Sequence, residues 1–196
     1  MVFIRELEQR ILKEGQILPG EVLKVGSFLN QQIDTKLLKN IGDEIARLYR
    51  DDNVTKVLTI ESSGIAIAYA AALSMGIPVV FAKKHRTSNL SGNILTSKVF
   101  SYTHHETYDI AVSSDYITEN DNVLIVDDFL ANGNALTGLI EIVEKANAKL
   151  AGCAIAIEKG FQGGGDALRA KGIRVESLAI IDKMTDDSLE FRSQET

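Results

Sequence analysis

Two adjacent carboxylates, Asp127 and Asp128, follow four uninterrupted apolar residues at 123–126. Such a run predicts a strand that is buried on both faces, as the strands of a parallel sheet are. A short glycine-containing loop at 131–135 then leads into an amphipathic helix. Ligands bind at the carboxyl ends of parallel strands, and the free N–H groups of a helix N-terminus bind phosphate. The segment therefore predicts a sugar-phosphate site, with amides for the phosphate and acids for hydroxyls or a hydrated metal ion.

The loop itself carries small and amide side chains: Ala131, Asn132, Gly133, Asn134 and Ala135. Since neither alanine supplies a hydroxyl, we expect backbone amides and the two asparagine side chains to bind the phosphate. The alternative interpretation is an ordinary turn between strand and helix, in which the two acids are solvated loop residues.

A second turn of this kind lies at 61–64, between a predicted strand at Lys56–Ile60 and a predicted helix at 65–75. It consists of Glu61, Ser62, Ser63 and Gly64. Its amides form another potential anion site, although many comparable turns bind nothing. Two such sites at one edge of a sheet match a substrate that carries phosphates at both ends of its ribose.

Lys159 lies just after a predicted strand at 150–157, and Phe161 follows two residues later. The lysine could donate to an oxygen of a purine, and the aromatic ring could stack on the base. The alternative is a surface lysine beside a core phenylalanine.

Neighbouring histidines at 104 and 105 are the remaining candidates for chemistry. His104 and His105 have no cysteine or carboxylate nearby at the spacing of metal ligands, so we predict no metal site formed by the protein.

Four segments together make the chain resemble the type I purine phosphoribosyltransferases: 23–34, 60–64, 123–135 and 158–162. Within that family the resemblance is strongest to bacterial members that use xanthine. It implies transfer of the 5-phosphoribosyl group from phosphoribosyl pyrophosphate (PRPP) to xanthine. The products would be xanthosine 5′-monophosphate and pyrophosphate, in purine salvage.

The resemblance also implies a role for each matching position. Leu23, Asn30 and Lys159 would contact xanthine, and the loop at 131–135 would hold PRPP. The pyrophosphate would be bound by Glu61, Ser62, Ser63, Gly64 and Lys83. Catalysis would fall to Asp127, Asp128 and Lys84.

A basic cluster opens the polar insert that follows a predicted strand at Val79–Ala82: Lys83, Lys84, His85 and Arg86. One interpretation is that Lys83 or Lys84 neutralises charge on departing pyrophosphate. The other is a solvated positive loop. The resemblance implies that this loop reaches the site of a second subunit in a homodimer. It also implies that the residues after the loop, 87–98, form a flexible flap. Mg²⁺ would be bound mainly through PRPP.

The 196 residues carry a net charge of −6, which argues against a nucleic-acid-binding protein. The single cysteine, Cys153, lies in an apolar run and fits a reducing, cytoplasmic setting. The N-terminal residues are amphipathic and charged, with Ile4, Leu7, Ile11 and Leu12 as the apolar face, so we expect a surface helix and neither a signal peptide nor a membrane span. One alternative to an enzyme for xanthine is a regulator that senses PRPP. A second alternative, closer to the xanthine enzyme, is the same reaction with guanine, hypoxanthine or adenine as the base.

Strand and helix patterns alternate along the chain, which predicts an α/β fold with a mostly parallel twisted sheet flanked by helices. Asp34 is the expected N-cap of a helix whose apolar face ends at Leu48. We also predict a hairpin at 99–102 and 108–112, a helix at 135–146, and closing strands at 174–181 and 189–192. The whole chain, 1–196, would form one phosphoribosyltransferase-like domain, with a core at about 35–160 and a small hood from 1–34 and 160–196.

Overall fold

The computed structural model describes residues 2–84, 93–101 and 106–193. These residues contain five α-helices: α1 (Val2–Glu14), α2 (Thr35–Leu48), α3 (Gly64–Met75), α4 (Asn134–Lys145) and α5 (Gly164–Ala170). A π-helical turn at Gly26–Asn30 and a 3₁₀ turn at Gly160–Gln162 complete the helical segments. The predictions for His85, Arg86, His104, His105 and residues 87–92 of the flap fall outside the described residues.

Ten strands are described: β1 (Gln16–Leu18), β2 (Val22–Lys24), β3 (Lys56–Ile60), β4 (Val79–Ala82), β5 (Ile94–Ser101), β6 (Glu106–Ser113), β7 (Asn122–Leu130), β8 (Lys149–Lys159), β9 (Val175–Met184) and β10 (Leu189–Phe191). Six of them form one sheet in the order β10-β9-β8-β7-β3-β4. In this sheet β10 is antiparallel to β9, and the other neighbours are parallel. Two antiparallel hairpins, β1–β2 and β5–β6, lie outside the sheet. The predicted mostly parallel sheet is confirmed.

The chain order of the sheet changes direction between β3 and β7. On one side β3 pairs with β4, and on the other side β7 pairs with β8. The pairing between β3 and β7 runs as far as Leu58 and Ile125 and stops before either strand ends. The carboxyl ends of the two strands are thus free to diverge, and this kind of crevice is where open α/β sheets bind ligands.

Two hydrophobic cores cover the two faces of the sheet. Leu124 and Val126 of β7 belong to the core beneath α1, α2 and α3. Val123 and Ile125 belong to the core beneath α4, α5 and the β5–β6 hairpin. Successive side chains of a strand point to opposite faces, so both faces of β7 are buried and the apolar run at 123–126 needs no polar interruption.

Helix boundaries follow from their caps. The Asp34 carboxylate accepts hydrogen bonds from the backbone N–H groups of Lys36 and Leu37, at 3.0 and 3.1 Å, as predicted for an N-cap. At the end of α3, Gly76 has a φ of 69°, a conformation that glycine adopts without steric cost.

Three details differ from the sequence-based expectations. Leu12 is 62% exposed, so the buried face of α1 is narrower than its apolar pattern suggests. The hairpin is longer than predicted, because residues 94–98 also pair with β6 and belong to its first strand. Strand β7 continues to Leu130, because β8 extends alongside it to Glu158. In the described part of the chain, no helix combines the length and the apolar character needed to cross a membrane.

Candidate active site

Both acids lie in the second half of β7 and are nearly inaccessible to solvent. Asp127 is 5% exposed and Asp128 is 7% exposed. Their position past the end of the β3–β7 pairing places them in the crevice between the two strands. The sequence predicted acids that follow the strand, whereas the strand contains them and thereby fixes their backbone.

The two carboxylates differ in environment. Burial raises the pKa of the Asp127 carboxyl well above its ordinary value, and the neighbouring Asp128 adds to this, whereas Lys84 acts in the opposite direction. Asp127 Oδ1 also accepts a hydrogen bond from the backbone N–H of Asp128, at 2.9 Å. The carboxylate of Asp128 accepts a hydrogen bond from Asn30 Nδ2, at 3.1 Å. The acid pair is thus held by contacts within itself and with the π-helical turn.

The turn at 61–64 reaches Asp127 through a glycine. A Cβ placed on Gly64 would lie 2.6 Å from Asp127 Oδ1 and closer still to Thr59 Oγ1, so only glycine fits here. The peptide bond between Glu61 and Ser62 is cis. Because α3 begins at Gly64, the free amides at the start of this helix lie beside the acid pair.

Glu61 connects this turn to the start of the basic cluster. Its Oε1 accepts a hydrogen bond from the backbone N–H of Lys84 at 2.7 Å. Lys84 Nζ lies 5.6 Å from the centroid of the Tyr108 ring. The turn and the backbone of Lys84 are therefore in direct contact.

Lys83 is directed elsewhere. Its backbone pairs with Ala111 of β6. Its side chain lines an open cavity of about 470 Å³ beside the edge strand β4, together with Phe81 and Tyr116. Lys83 therefore lies at the cavity beside β4, and Lys84 lies at the turn at 61–64. The sequence alone did not indicate this separation.

The loop at 131–135 wraps the N-terminus of α4. Gly133 caps the helix with a φ of 83° and offers no side chain to the helix amides. The side chain of Asn134 donates to the backbone oxygen of Phe100 in the β5–β6 hairpin, at 3.0 Å. One of the two N–H donors of Asn134 is therefore engaged by the hairpin, and the contact of this side chain with phosphate stays a prediction.

Lys159 is half-buried and already has a partner. Its ammonium donates to the backbone oxygen of Glu21 at 2.7 Å, across the β1–β2 turn. Burial lowers the pKa of the Lys159 ammonium, and Glu21 partly offsets this. The ring facing this ammonium is that of Phe129, at 5.9 Å from Nζ to the ring centroid. Phe161 packs against the hydrophobic core beneath α1, α2 and α3.

Leu23 and Asn30 share an open cavity of about 560 Å³. Leu23 is buried against its wall, and Asn30 connects the cavity to Asp128. Two of the three predicted xanthine contacts are therefore adjacent, and Lys159 lies across the β1–β2 turn from them. Phe129, whose ring faces Lys159, was not among the predicted site residues, although its position directly after the acid pair was a usable signal.

Within residues 2–84, 93–101 and 106–193, no three histidine, cysteine, aspartate or glutamate side chains are grouped to hold a metal ion. Two adjacent carboxylates remain suitable for a magnesium ion that keeps most of its water or phosphate ligands.

The comparison with known families agrees with this geometry. The family described as phosphoribosyl transferase domain matches residues 30–184. The xanthine phosphoribosyltransferase of Bacillus cereus is 50% identical over 193 residues, covering 98% of both chains. That of Bacillus mycoides is 49% identical over 193 residues, with the same coverage.

Solved structures are similar in fold. The APRTase from Giardia lamblia, complexed with 9-deazaadenine, superposes with a TM-score of 0.75 at 23% identity, over 90% of this chain and 96% of that chain. The adenine phosphoribosyltransferase from Saccharomyces cerevisiae gives 0.73 at 20% identity, over 90% and 98%. At these identities the likeness establishes a shared fold.

Proposed function

Because the chain belongs to the phosphoribosyl transferase family, we propose that it transfers the 5-phosphoribosyl group from PRPP to xanthine. The products are xanthosine 5′-monophosphate and pyrophosphate, and the reaction serves purine salvage. The observation that carries this proposal is the buried pair Asp127 and Asp128 at the switch point of the sheet, between two helix N-termini. The Bacillus relatives, similar along nearly their whole length, support xanthine as the base.

PRPP would span the crevice between the two turns. We assign its 5′-phosphate to the backbone amides at 131–135, which begin α4. Its pyrophosphate is assigned to Ser62, Ser63 and the amide of Gly64, with Lys84 as the adjacent cation. The Glu61 carboxylate would position Lys84 through its backbone, since it already accepts a hydrogen bond there.

Asp127 and Asp128 would act on the ribose between these two anion sites. Departure of pyrophosphate leaves positive charge on the ribose ring, as in glycoside hydrolysis, and a nearby carboxylate stabilises such charge. Both acids lie past the end of the β3–β7 pairing, so both would reach the ribose. Asp127 and Asp128 would accept hydrogen bonds from the ribose hydroxyls and face the developing charge.

Xanthine would be held by donors for its two ring oxygens. Lys159 has three N–H donors, of which one goes to Glu21, and Asn30 has two, of which one goes to Asp128. Each keeps a donor for the base. We assign stacking to Phe129, since its ring faces Lys159, and a wall of the base cavity to Leu23.

Magnesium fits this site as a companion of the substrate. The adjacent carboxylates Asp127 and Asp128 would hold its water ligands, and the diphosphate oxygens would complete its coordination. When bound, the ion neutralises charge on the pyrophosphate leaving group.

We further propose that the protein is a cytoplasmic homodimer. Tyr69 and Leu73 are one turn apart on α3 and are 57% and 67% exposed, and Phe81 is exposed on the edge strand β4. Exposed apolar groups of this kind are typical of protein interfaces. Lys83, which lines the cavity beside β4, would then act across the dimer. The lone cysteine, Cys153, is buried as a thiol, which suits a reducing compartment.

The test is an assay of pyrophosphate release from PRPP and magnesium with xanthine, guanine, hypoxanthine and adenine in turn. We expect turnover to be fastest with xanthine. Discrimination against guanine should reach about ten- to hundredfold, because one buried donor left unpaired costs about 1–3 kcal/mol. Absence of turnover with every purine would refute the enzyme, and turnover with adenine alone would reassign the base.

A further inference from the structure

Glu158 is fully buried at the carboxyl end of β8, directly opposite Leu130 of β7. A buried carboxylate needs compensation, and here it comes from Arg169 of α5. The guanidinium makes two parallel contacts, Nη1 to Oε1 at 2.9 Å and Nη2 to Oε2 at 2.7 Å. Ser177 of β9 donates to the same carboxylate. The sequence analysis and the proposed function assign no role to either charged residue.

The ion pair fixes α5 against the sheet at very short range. A Cβ on Gly165 would lie 2.5 Å from Glu158 Cδ and 2.8 Å from Arg169 Nη1, so the first turn of α5 rests directly on the pair. Arg169 also donates from Nε to the backbone oxygen of Val175, at 3.1 Å. The helix is therefore anchored at both of its ends.

The other side of α5 touches the phosphate loop. The backbone N–H of Gly164 donates to the oxygen of Ala131, at 3.2 Å. A Cβ on Gly164 would lie 2.6 Å from the nitrogen of Gly133 and from the carbonyl carbon of Asn132. No side chain separates α5 from the loop, so a shift of the helix is transmitted to the loop amides.

We propose that Glu158 and Arg169 are positioning residues for the phosphate loop at 131–135, acting through the contact of Gly164 with Ala131. This inference rests on the proposed function, in which the loop amides bind the 5′-phosphate. The pair holds α5 behind the loop, and the loop amides keep the geometry that the phosphate needs. The turn at 61–64 lies on β3 and α3 and is independent of this anchor.

The test compares two partial ligands, ribose 5-phosphate for the loop at 131–135 and pyrophosphate for the turn at 61–64, by calorimetric titration. In R169K the charge remains but the two-pronged contact is lost. We expect ribose 5-phosphate to bind about tenfold more weakly, a smaller effect than the roughly hundredfold loss in rate that a 1 Å misplacement can cause. Pyrophosphate affinity should stay within about twofold. Where R169K fails to fold, E158Q provides the same test.

R174K is the matched control, because Arg174 makes a comparable set of contacts with Asp52, Glu176 and the backbone of Leu48. It should change neither affinity. Unchanged ribose 5-phosphate binding in R169K, or equal losses for both ligands, would overturn the proposal. Hydrogen exchange of the Gly164 amide gives a readout without ligand: it should be faster in R169K than in R174K, and equal rates would overturn the proposal. Failure of the unsubstituted protein to bind ribose 5-phosphate would instead contradict the proposed function.

Discussion

The side-chain amide of Asn30 donates to Asp128 Oδ2 at 3.1 Å, joining residues that are 98 positions apart in the chain. One residue belongs to the π-helical turn that lines the base cavity, and the other belongs to the acid pair assigned to the ribose. The base and ribose parts of the site are therefore connected by a hydrogen bond. Its removal should affect both xanthine binding and turnover.

Asn30→Ala tests this connection. A hydrogen bond to a charged group contributes about 1.5–3 kcal/mol, so we expect kcat/KM for xanthine to fall by about ten- to hundredfold. Steady-state kinetics at saturating PRPP is the measurement. Gln32→Ala, two positions along and exposed, is the control and should stay near the unsubstituted value. Equal effects of the two substitutions would contradict a specific role for Asn30.

Asp128→Asn should reduce kcat strongly while the protein stays folded. The amide keeps the size of the side chain and can still accept from Asn30, but it carries no negative charge to oppose the positive charge of the ribose. Loss of one preorganised electrostatic contact costs about 10²–10³ in kcat. Circular dichroism and urea unfolding report the fold, with the exposed Asp187→Asn as control. Near-normal kcat in a folded variant would refute the assigned role.

Asp127→Asn should change how stability depends on pH. Burial raises the pKa of the Asp127 carboxyl in the folded protein, so the folded state holds its proton at pH values where the unfolded chain has lost it. The contribution of Asp127 to stability is therefore greatest below its ordinary pKa. It is lost as the pH rises through the pKa that Asp127 has in the folded protein. The free energy of unfolding of Asp127→Asn, minus that of the unsubstituted protein, should increase with pH. Urea titrations from pH 4 to 8 measure it, and a difference that stays flat or decreases would contradict the assignment.

Lys159→Met should weaken xanthine binding more than PRPP binding. Methionine keeps most of the length of the side chain and removes the ammonium that faces Phe129 and Glu21. We expect KM for xanthine to rise by about ten- to hundredfold, in line with about 1–3 kcal/mol for a lost donor. The exposed Lys171→Met is the matched control. An unchanged KM for xanthine, or a larger rise in KM for PRPP, would argue against the base contact.

Much of the fold was readable because its signals are local. The apolar run at 123–126 predicted a strand buried on both faces, and Leu124 and Ile125 do belong to opposite cores. Asp34 was identifiable as a cap because the capping side chain lies within three residues of the amides that it accepts from. Such signals depend on backbone geometry over a few residues, which the sequence encodes directly.

Distant segments add contacts that no local pattern in the sequence indicates. Asn134 was expected to contact phosphate, and in the structure one of its N–H groups donates to the carbonyl of Phe100 in the hairpin. Phe161 was the expected stacking ring; Phe129 and Phe161 are both half-buried against the same core, and it is the ring of Phe129 that faces Lys159. Choices of this kind depend on which residues become neighbours after the sheet and the hairpin have formed.

By itself the sequence determined the parts of this protein: a buried strand with two acids, two turns at helix N-termini, and the residues available to bind a base. The tertiary structure alone decided how those parts meet. It placed Gly64 against Asp127, joined Asn30 to Asp128 by a hydrogen bond, and set α5 behind the loop at 131–135. The physical reason is that burial and long-range contact set the charge and orientation of a side chain, and both exist only once the chain has folded.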